Sequence, residues 1–299
     1  MIYNITHRTT FEYVQSVSIS HHLLHLAPRP CPQQVRRHHG LIVEPPPTII
    51  RNDTDYFGNP TTYLTIEEPH RELVIAAKSS IEVMTPSLPA PEDTSPWDKV
   101  PTLLSGATGR EMLDIYQFVF DSPFTESGNG IADFAAKSFS PERPILEAAL
   151  ELTARIFNDF TYEGGVTDIS TPVEEVLKEK RGVCQDFAHL QISCLRSMGL
   201  PARYVSGYLL THPPEGKERL VGADASHAWL SVWVPEHGWI DLDPTNNLIP
   251  RDEHITLAWG RDYGDVSPIN GLVVGGGQHE IDVSADVQPV PSKETANES

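Results

Sequence analysis

A cysteine stands at the mouth of a predicted helix in Gly182-Val183-Cys184-Gln185-Asp186. Unpaired backbone N–H groups and the helix dipole favour a thiolate there, and can lower a cysteine pKa to about 3.5–7.5. A free cysteine is more often a small buried apolar side chain. Cys194, deeper in the same helix, and Cys31, between Pro30 and Pro32, fit that description. A thiolate nucleophile needs a base. Ser226-His227-Ala228-Trp229 opens a run of period two, which puts His227, Trp229, Ser231 and Trp233 on one face. Gly238-Trp239-Ile240-Asp241-Leu242-Asp243-Pro244-Thr245-Asn246 follows after a short turn, and a carboxylate on it can accept the imidazole N–H. Cysteine, histidine and aspartate supply nucleophile, base and orienter. Asp241 and Asp243 point to the same face, so alternation leaves both open.

These residues need a scaffold. Residues 1–85 carry β-forming runs at Ile2–Thr6, Thr9–Val14, Leu41–Val43, Thr61–Ile66 and Leu73–Val83, punctuated by prolines and by Asp55-Tyr56-Phe57-Gly58-Asn59-Pro60. The segment 85–101, with Pro86, Pro89, Pro91, Pro96 and Pro101, is a stiff linker laid over the surface. Helical periodicity follows from Ile145 to Phe157 after Pro144. Thr171-Pro172-Val173-Glu174 is the pattern of a capping box, and the short helix it opens is expected to stop at Gly182. The cysteine helix runs to Met198, and strands are expected at Ala202–Leu210, Ser226–Val234, Gly238–Asp243 and within 271–284. The expected organisation is a β domain over 1–100 ending in the linker, a catalytic domain over 101–250, strands over 251–285 that pack back on the rest, and a disordered tail over 286–299.

Gly182-Val183-Cys184-Gln185-Asp186-Phe187-Ala188, Ser226-His227-Ala228-Trp229 and Asp243-Pro244-Thr245-Asn246 together resemble the core of the transglutaminase-like superfamily. The bacterial branch, commonly labelled cysteine proteases, is the nearest match, because Gly199–Tyr208, Gly260-Arg261-Asp262-Tyr263 and the stretch from Tyr3 through Asp55-Tyr56-Phe57-Gly58-Asn59 to His70 also resemble it. The resemblance implies an α+β fold, with a papain-like core that packs the cysteine helix on an antiparallel sheet behind an antiparallel β domain. It puts the nucleophile on Cys184, the base on His227 and the aspartate on Asp243, the residue before Pro-Thr. The Cys184 N–H is the natural first oxyanion donor, with Tyr162 or Gln185 as candidates for the second. Trp229, like Trp233 and Trp239, is expected in the core or at a groove wall, and Trp229 is also kept as a candidate substrate contact. Asp224 and Ser226 shape the loop before His227, and His189 points away from Cys184. His21, His22, His38 and His39 form pairs without a convincing third ligand and are expected to be solvated. No metal and no cofactor are expected, and the acidic segments that bind calcium in animal relatives have no counterpart here.

The chemistry implied is acyl transfer: thiolate attack on an amide, a thioester, and release to water. That describes a cysteine peptidase or amidase, with transglutamination to an amine as the alternative within catalysis and a non-catalytic binding module as the alternative outside it. The expected partner is a peptide, protein or small amide substrate, and nothing in the sequence signals an oligomeric state. A formal net charge of −19, with 22 basic and 41 acidic residues in 299, repels phosphate and argues against nucleic acid and anionic membrane surfaces. Three cysteines without metal-ligand spacing support neither a disulfide framework nor a zinc knuckle. The first residues lack the apolar core of a signal peptide and no apolar run approaches the roughly 20 residues of a membrane span. A soluble, cytoplasmic protein is therefore the default expectation.

Overall fold

The computed structural model describes residues 1–106, 108–211 and 226–291. Its N-terminal region is built on one long strand, β1 (Ile2–Leu24), whose Tyr3, Ile5, His7 and Thr9 turn inward in strict alternation. The strands β2 (Gln34–Glu44), β3 (Ile49–Thr54), β4 (Pro60–Ile66) and β5 (His70–Val83) join it in the antiparallel order β2-β5-β1-β4-β3. No one neighbour spans β1: β5 pairs its first half and β4 its last residues, with the register shifting between Glu12 and Val17.

The proline-rich segment crosses to the helical layer through short 3-10 turns at Pro91–Asp93 and Trp97–Lys99. The helices α1 (Val100–Ser105), α2 (Arg110–Tyr116), α3 (Asn129–Ala136) and α4 (Ile145–Asp159) follow. The linker is tied to the start of α4, because the N–H groups of Ile145 and Leu146 donate to Ser95 O at 3.0 Å and Thr94 Oγ1 at 3.2 Å. Next come β6 (Thr161–Tyr162), α5 (Val173–Glu179), β7 (Arg181–Gly182) and α6 (Cys184–Ser197). A second antiparallel sheet, in the order β10-β9-β8-β11, is made by β8 (Ala202–Leu209), β9 (Ser226–Val234), β10 (Gly238–Leu242) and β11 (His254–Gly260). After α7 (Tyr263–Val266), β12 (Ile269–Gly275) and β13 (His279–Pro289) return and both pair with β1.

α6 is buried from Asp186 to Arg196 and packs on β8 and β9. Its core is continuous with the N-terminal sheet through Tyr3, Ile5, Ile81, Val83 and Val287. The chain is thus α+β, as expected, with no helix among the described residues long and apolar enough to cross a membrane.

Several boundaries move. β11 completes the sheet of β8–β10, whereas β12 and β13 join β1, so the expected break at 250 falls inside one sheet. Residues 286–289, expected in a tail, pair with Tyr3–Thr6 in β13, because β1 would otherwise leave that edge bare. Pro172 itself is the residue before α5, with no side-chain cap from Thr171, and the helix ends at Glu179 where Lys180 turns left-handed.

β11 is the outer strand of its sheet, and unpaired edge groups must be covered. The N-terminal region covers them with side-chain amides that imitate a strand. Gln34 donates from Nε2 to Thr256 O at 2.6 Å and accepts the Thr256 N–H at 3.0 Å. Asn59 donates from Nδ2 to Trp259 O at 2.8 Å and accepts the Trp259 N–H at 2.9 Å. The Arg29 N–H donates to Leu257 O at 3.1 Å between them, and its guanidinium lies over the Trp259 ring. Leaving a buried polar group unpaired costs about 1–3 kcal/mol. Asn59→Ala, which strands both Trp259 groups, should lower the urea midpoint by at least about 2 kcal/mol of unfolding free energy. Ile50→Ala, on the exposed strand β3, should stay within about 0.5 kcal/mol of the parent.

Candidate active site

The start of α6 is shaped by its neighbours. The Val183 N–H donates to Asp186 Oδ2 at 2.8 Å, and Thr167 Oγ1 donates to the same oxygen at 2.7 Å. A Cβ on residue 182 would lie 2.6 Å from that oxygen, so the turn into the helix requires Gly182. The parallel bridge between β6 and β7 sets Tyr162 opposite Gly182. Cys184 sits half-buried where the otherwise buried helix reaches the surface.

His227 opens β9, and its ring Nε2 lies 2.8 Å from Asp243 Oδ2. An ionised carboxylate only accepts, so Nε2 carries the proton. Cys184 also acts on this ring, raising it together with Asp243, and Nδ1 is the nitrogen left to face the thiol. Asp243 is fully buried. Its Oδ2 also receives Asn246 Nδ2 at 2.7 Å and His254 Nε2 at 3.0 Å, while its Oδ1 receives the N–H groups of Thr245 at 2.9 Å and Asn246 at 3.2 Å. Burial pushes the Asp243 carboxyl up, but the hydrogen bonds from His227, His254 and Asn246 and the charge of His227 outweigh it and hold it well below the usual carboxylate range. Burial pushes His227 down, but Asp243 and Cys184 outweigh it and raise the imidazolium to about 9. Such a ring can stand protonated beside a thiolate at neutral pH, or shuttle a proton between sulfur and a bound molecule.

Register separates the two aspartates that alternation could not. Asp241 lies opposite Ser231 in the β9–β10 ladder and accepts from Trp229 Nε1 at 3.0 Å and from Ser231 Oγ. Burial pulls the neighbouring Arg203 down to about 9, opposed by the charge of Asp241. Asp241 thus belongs to a buried structural cluster and Asp243 to His227.

Of the places open to Trp229, the structure gives the core and not a groove wall or the substrate side: it is fully buried with its N–H committed to Asp241. It backs His227, with ring centroids 6.0 Å apart, and cannot meet a substrate. Tyr162 is exposed; burial, then the charges of Cys184 and Asp186, push its hydroxyl up. Gln185 follows Cys184 on the first turn of α6, half-buried. His189 points into the core, as expected, where its Nε2 accepts the Tyr263 N–H at 3.1 Å and burial lowers it to about 3. Asp224 lies outside the described residues. The expectation that the paired histidines are solvated fails at His22, which is 3% exposed with both ring nitrogens buried and unpartnered among the described residues. It faces inward because the alternation of β1 changes phase: buried positions are odd from Tyr3 to Val17 and even from Ser20 to Leu24, past the irregularity between Val17 and Ile19.

Sequence reasoning missed two partners of Asp243. Asn246 was within reach, since an aspartate two and three residues before free N–H groups is an Asx-turn signal. His254 carried no such signal, because β11 reaches β9 only across β8. Among the described residues, His227 Nε2, Asp243 Oδ2 and His254 Nε2 lie within 4.8 Å of one another, a spacing a divalent cation could bridge. Each nitrogen already has the carboxylate oxygen as its partner, so a cation would have to displace both protons.

A helix that starts at a cysteine and meets an antiparallel sheet bearing histidine and aspartate is a papain-like, transglutaminase-like arrangement. Residues 132–244 match the core model of the transglutaminase-like superfamily, and residues 3–82 match the bacterial transglutaminase-like N-terminal region. An uncharacterized protein of Mycobacterium tuberculosis is 42% identical over 299 residues, covering 96% of this chain and 92% of that one. A protein-glutamine gamma-glutamyltransferase of Pseudomonas aeruginosa is 34% identical over 108 residues, 33% of this chain and 16% of that protein. A crystal structure of a candidate cysteine protease from Cytophaga hutchinsonii shares the fold with a TM-score of 0.76 at 22% identity, covering 98% of this chain and 92% of that one. The chain belongs to the transglutaminase-like superfamily and carries its bacterial N-terminal region. His254 lies beyond the matched core.

The raised His227 value gives the interaction a pH window. Its contribution to stability is present in full below the ordinary imidazole value of 6.5 and is lost as the pH rises through about 9. The Asp243 contribution is present above the ordinary carboxylate range and is lost as the pH falls below it. Histidine NMR should therefore find the His227 ring titrating near 9 in the parent. In Asp243→Asn, where burial acts with less opposition, the ring should titrate well below that value.

Proposed function

We propose that this chain is a cysteine-dependent acyl-transfer enzyme that hydrolyses peptide or other amide bonds through a thioester on Cys184. One observation carries this: the His227 ring is held by the Asp243 carboxylate at 2.8 Å and, against its burial, is raised to about 9 by Asp243 and Cys184 together. The Cys184 sulfur attacks the carbonyl carbon, and the C–O π electrons move to the oxygen. The Cys184 N–H, at the start of α6, faces that developing charge. Tyr162 Oη and Gln185 are the candidates for the second donor, with the exposed Tyr162, set opposite Gly182, favoured by position. As the tetrahedral adduct collapses, the C–N bond breaks and His227 Nδ1 gives its proton to the leaving amine. The neutral ring then takes a proton from water, whose oxygen attacks the thioester, and the thiolate departs. Asp243 stays ionised throughout and keeps the Nε2 proton in place.

A cleft of about 470 Å³ between the N-terminal sheet and the catalytic layer includes Ser226, the residue before His227. Phe11, Phe124, Ile169, Ile281 and Val283 supply its apolar walls, and His7, Thr9, Ser267 and Asn270 supply polar ones. Transfer to an amine uses the same steps up to the thioester. The likeness to a protein-glutamine gamma-glutamyltransferase over part of the chain keeps that outcome as the second reading.

Incubation with a library of blocked peptide amides, with and without a primary amine, separates the two readings by product mass: acid alone for hydrolysis, an amine adduct for transfer. We expect the acid, and we expect Cys184→Ala to abolish both products and the covalent intermediate. Burial pushes the Cys31 thiol up and the Cys194 thiol to about 12. Cys31→Ala and Cys194→Ser should accordingly leave turnover near the parent value, and iodoacetamide at mildly acidic pH should label Cys184 first.

A further inference from the structure

We propose that His254 is a positioning residue for this site: by donating from β11 to Asp243 Oδ2, it holds the carboxylate in the orientation that keeps His227 turned to Cys184. The proposal rests on the reading of Cys184 as nucleophile.

His254 is buried, and it uses only half of its hydrogen-bonding capacity. Nε2 lies 3.0 Å from Asp243 Oδ2, while Nδ1 is buried without a partner among the described residues. A histidine that merely filled the core would leave a lone pair stranded for no return, whereas an apolar ring of similar shape would avoid that cost. The proton is required on the nitrogen that faces the carboxylate. The same oxygen receives His227 at 2.8 Å, so the two imidazoles converge on one acceptor.

The other donors to Asp243 do not constrain it in the same way. Thr245 and Asn246 belong to the turn that begins at Asp243 and move with it. His227 is the group to be oriented and cannot also be the reference. Among the described residues, His254 is the donor from a separate strand. That strand is itself held: the Gln34 amide pairs with both backbone groups of Thr256, two residues along.

The approach depends on a missing side chain. β8 lies between β9 and β11, and Gly207 on β8 pairs with His227. A Cβ there would stand 2.4 Å from Trp229 Cη2 and 2.2 Å from Ile255 O. With glycine, the Trp229 indole can lie across the strand. It sits 6.0 Å from the His227 ring, and the His254 ring meets it edge-on at 5.2 Å. One indole therefore sets the planes of both imidazoles.

Two substitutions separate positioning from packing. His254→Phe keeps a ring against Trp229 but removes the donor, and His254→Gln keeps an N–H near the position of Nε2. The first readout is the pH profile of iodoacetamide alkylation at Cys184, followed by peptide mass. We expect His254→Phe to slow labelling at mildly acidic pH by about 10²-fold, the scale of a misplacement of about 1 Å, and to move the acid limb to higher pH. His254→Gln should recover most of the rate. The second readout is the His227 Nε2–H proton in histidine NMR, which reports the Asp243 hydrogen bond whatever Cys184 does. It should persist in the Gln variant and be lost in the Phe variant at neutral pH. A parent-like profile and proton in His254→Phe would overturn the proposal. So would equal losses in both variants with a matching fall in thermal stability, since that is the mark of packing alone. If parent Cys184 is labelled no faster than Cys31, the nucleophile reading fails, and the NMR comparison still decides whether His254 holds Asp243.

Discussion

The arrangement around Cys184 and His227 depends on one buried negative charge. Asp243 is excluded from water, and an isolated carboxylate in such a place would take up a proton or unfold its surroundings. Five donated hydrogen bonds prevent that: two from backbone N–H groups, one from Asn246, and one from each of two histidines. With the charge secured, His227 can be raised to about 9 despite its own burial. The ring is then both fixed in tautomer and able to hold a proton beside sulfur.

The N-terminal sheet earns its place by what it does to β11. An outer strand with bare peptide groups would be free to shift or to pair elsewhere. Gln34 and Asn59 close those groups with amide side chains, and Arg29 adds a main-chain bond between them. Asn59 is in turn held by Asp55, whose Oδ2 accepts its Nδ2 at 2.7 Å. The Asp55–Asn59 turn that looks like ordinary loop punctuation is thus a clamp on the sheet that carries His227. The return of β12 and β13 to β1 locks the two regions a second time.

Local chemistry was readable from residue order. A glycine before Val183-Cys184 and an aspartate at the third helical position mark where α6 must begin, since the Asp186 carboxylate needs the space a side chain at 182 would fill. Alternation set His227 and Trp229 on one face, but whether that face meets solvent is decided by what packs on it. Trp229 lies beneath its own sheet's neighbours and spends its N–H on Asp241. The same limit explains His22, which the change of phase past Val17 in β1 turns inward although the histidine pairs suggested a wet surface.

By itself the sequence determined the pieces that need only near neighbours: the cysteine at a helix start, the histidine at the head of a strand, and the aspartates on the strand after it, while the α+β class came with the family resemblance. Resemblance to a family assigned Asp243 over Asp241; the tertiary structure supplies the reason, because antiparallel register puts Asp241 against Ser231 and leaves Asp243 to His227. Only the tertiary structure could place His254, Gln34 and Asn59 around that aspartate and its strand. Their contacts span gaps that no periodicity encodes, from Asp243 to His254 across two intervening strands, and from Gln34 to Thr256 across most of the chain. Such contacts are selected by which buried polar group would otherwise go unpaired, and that is known only once the chain has folded.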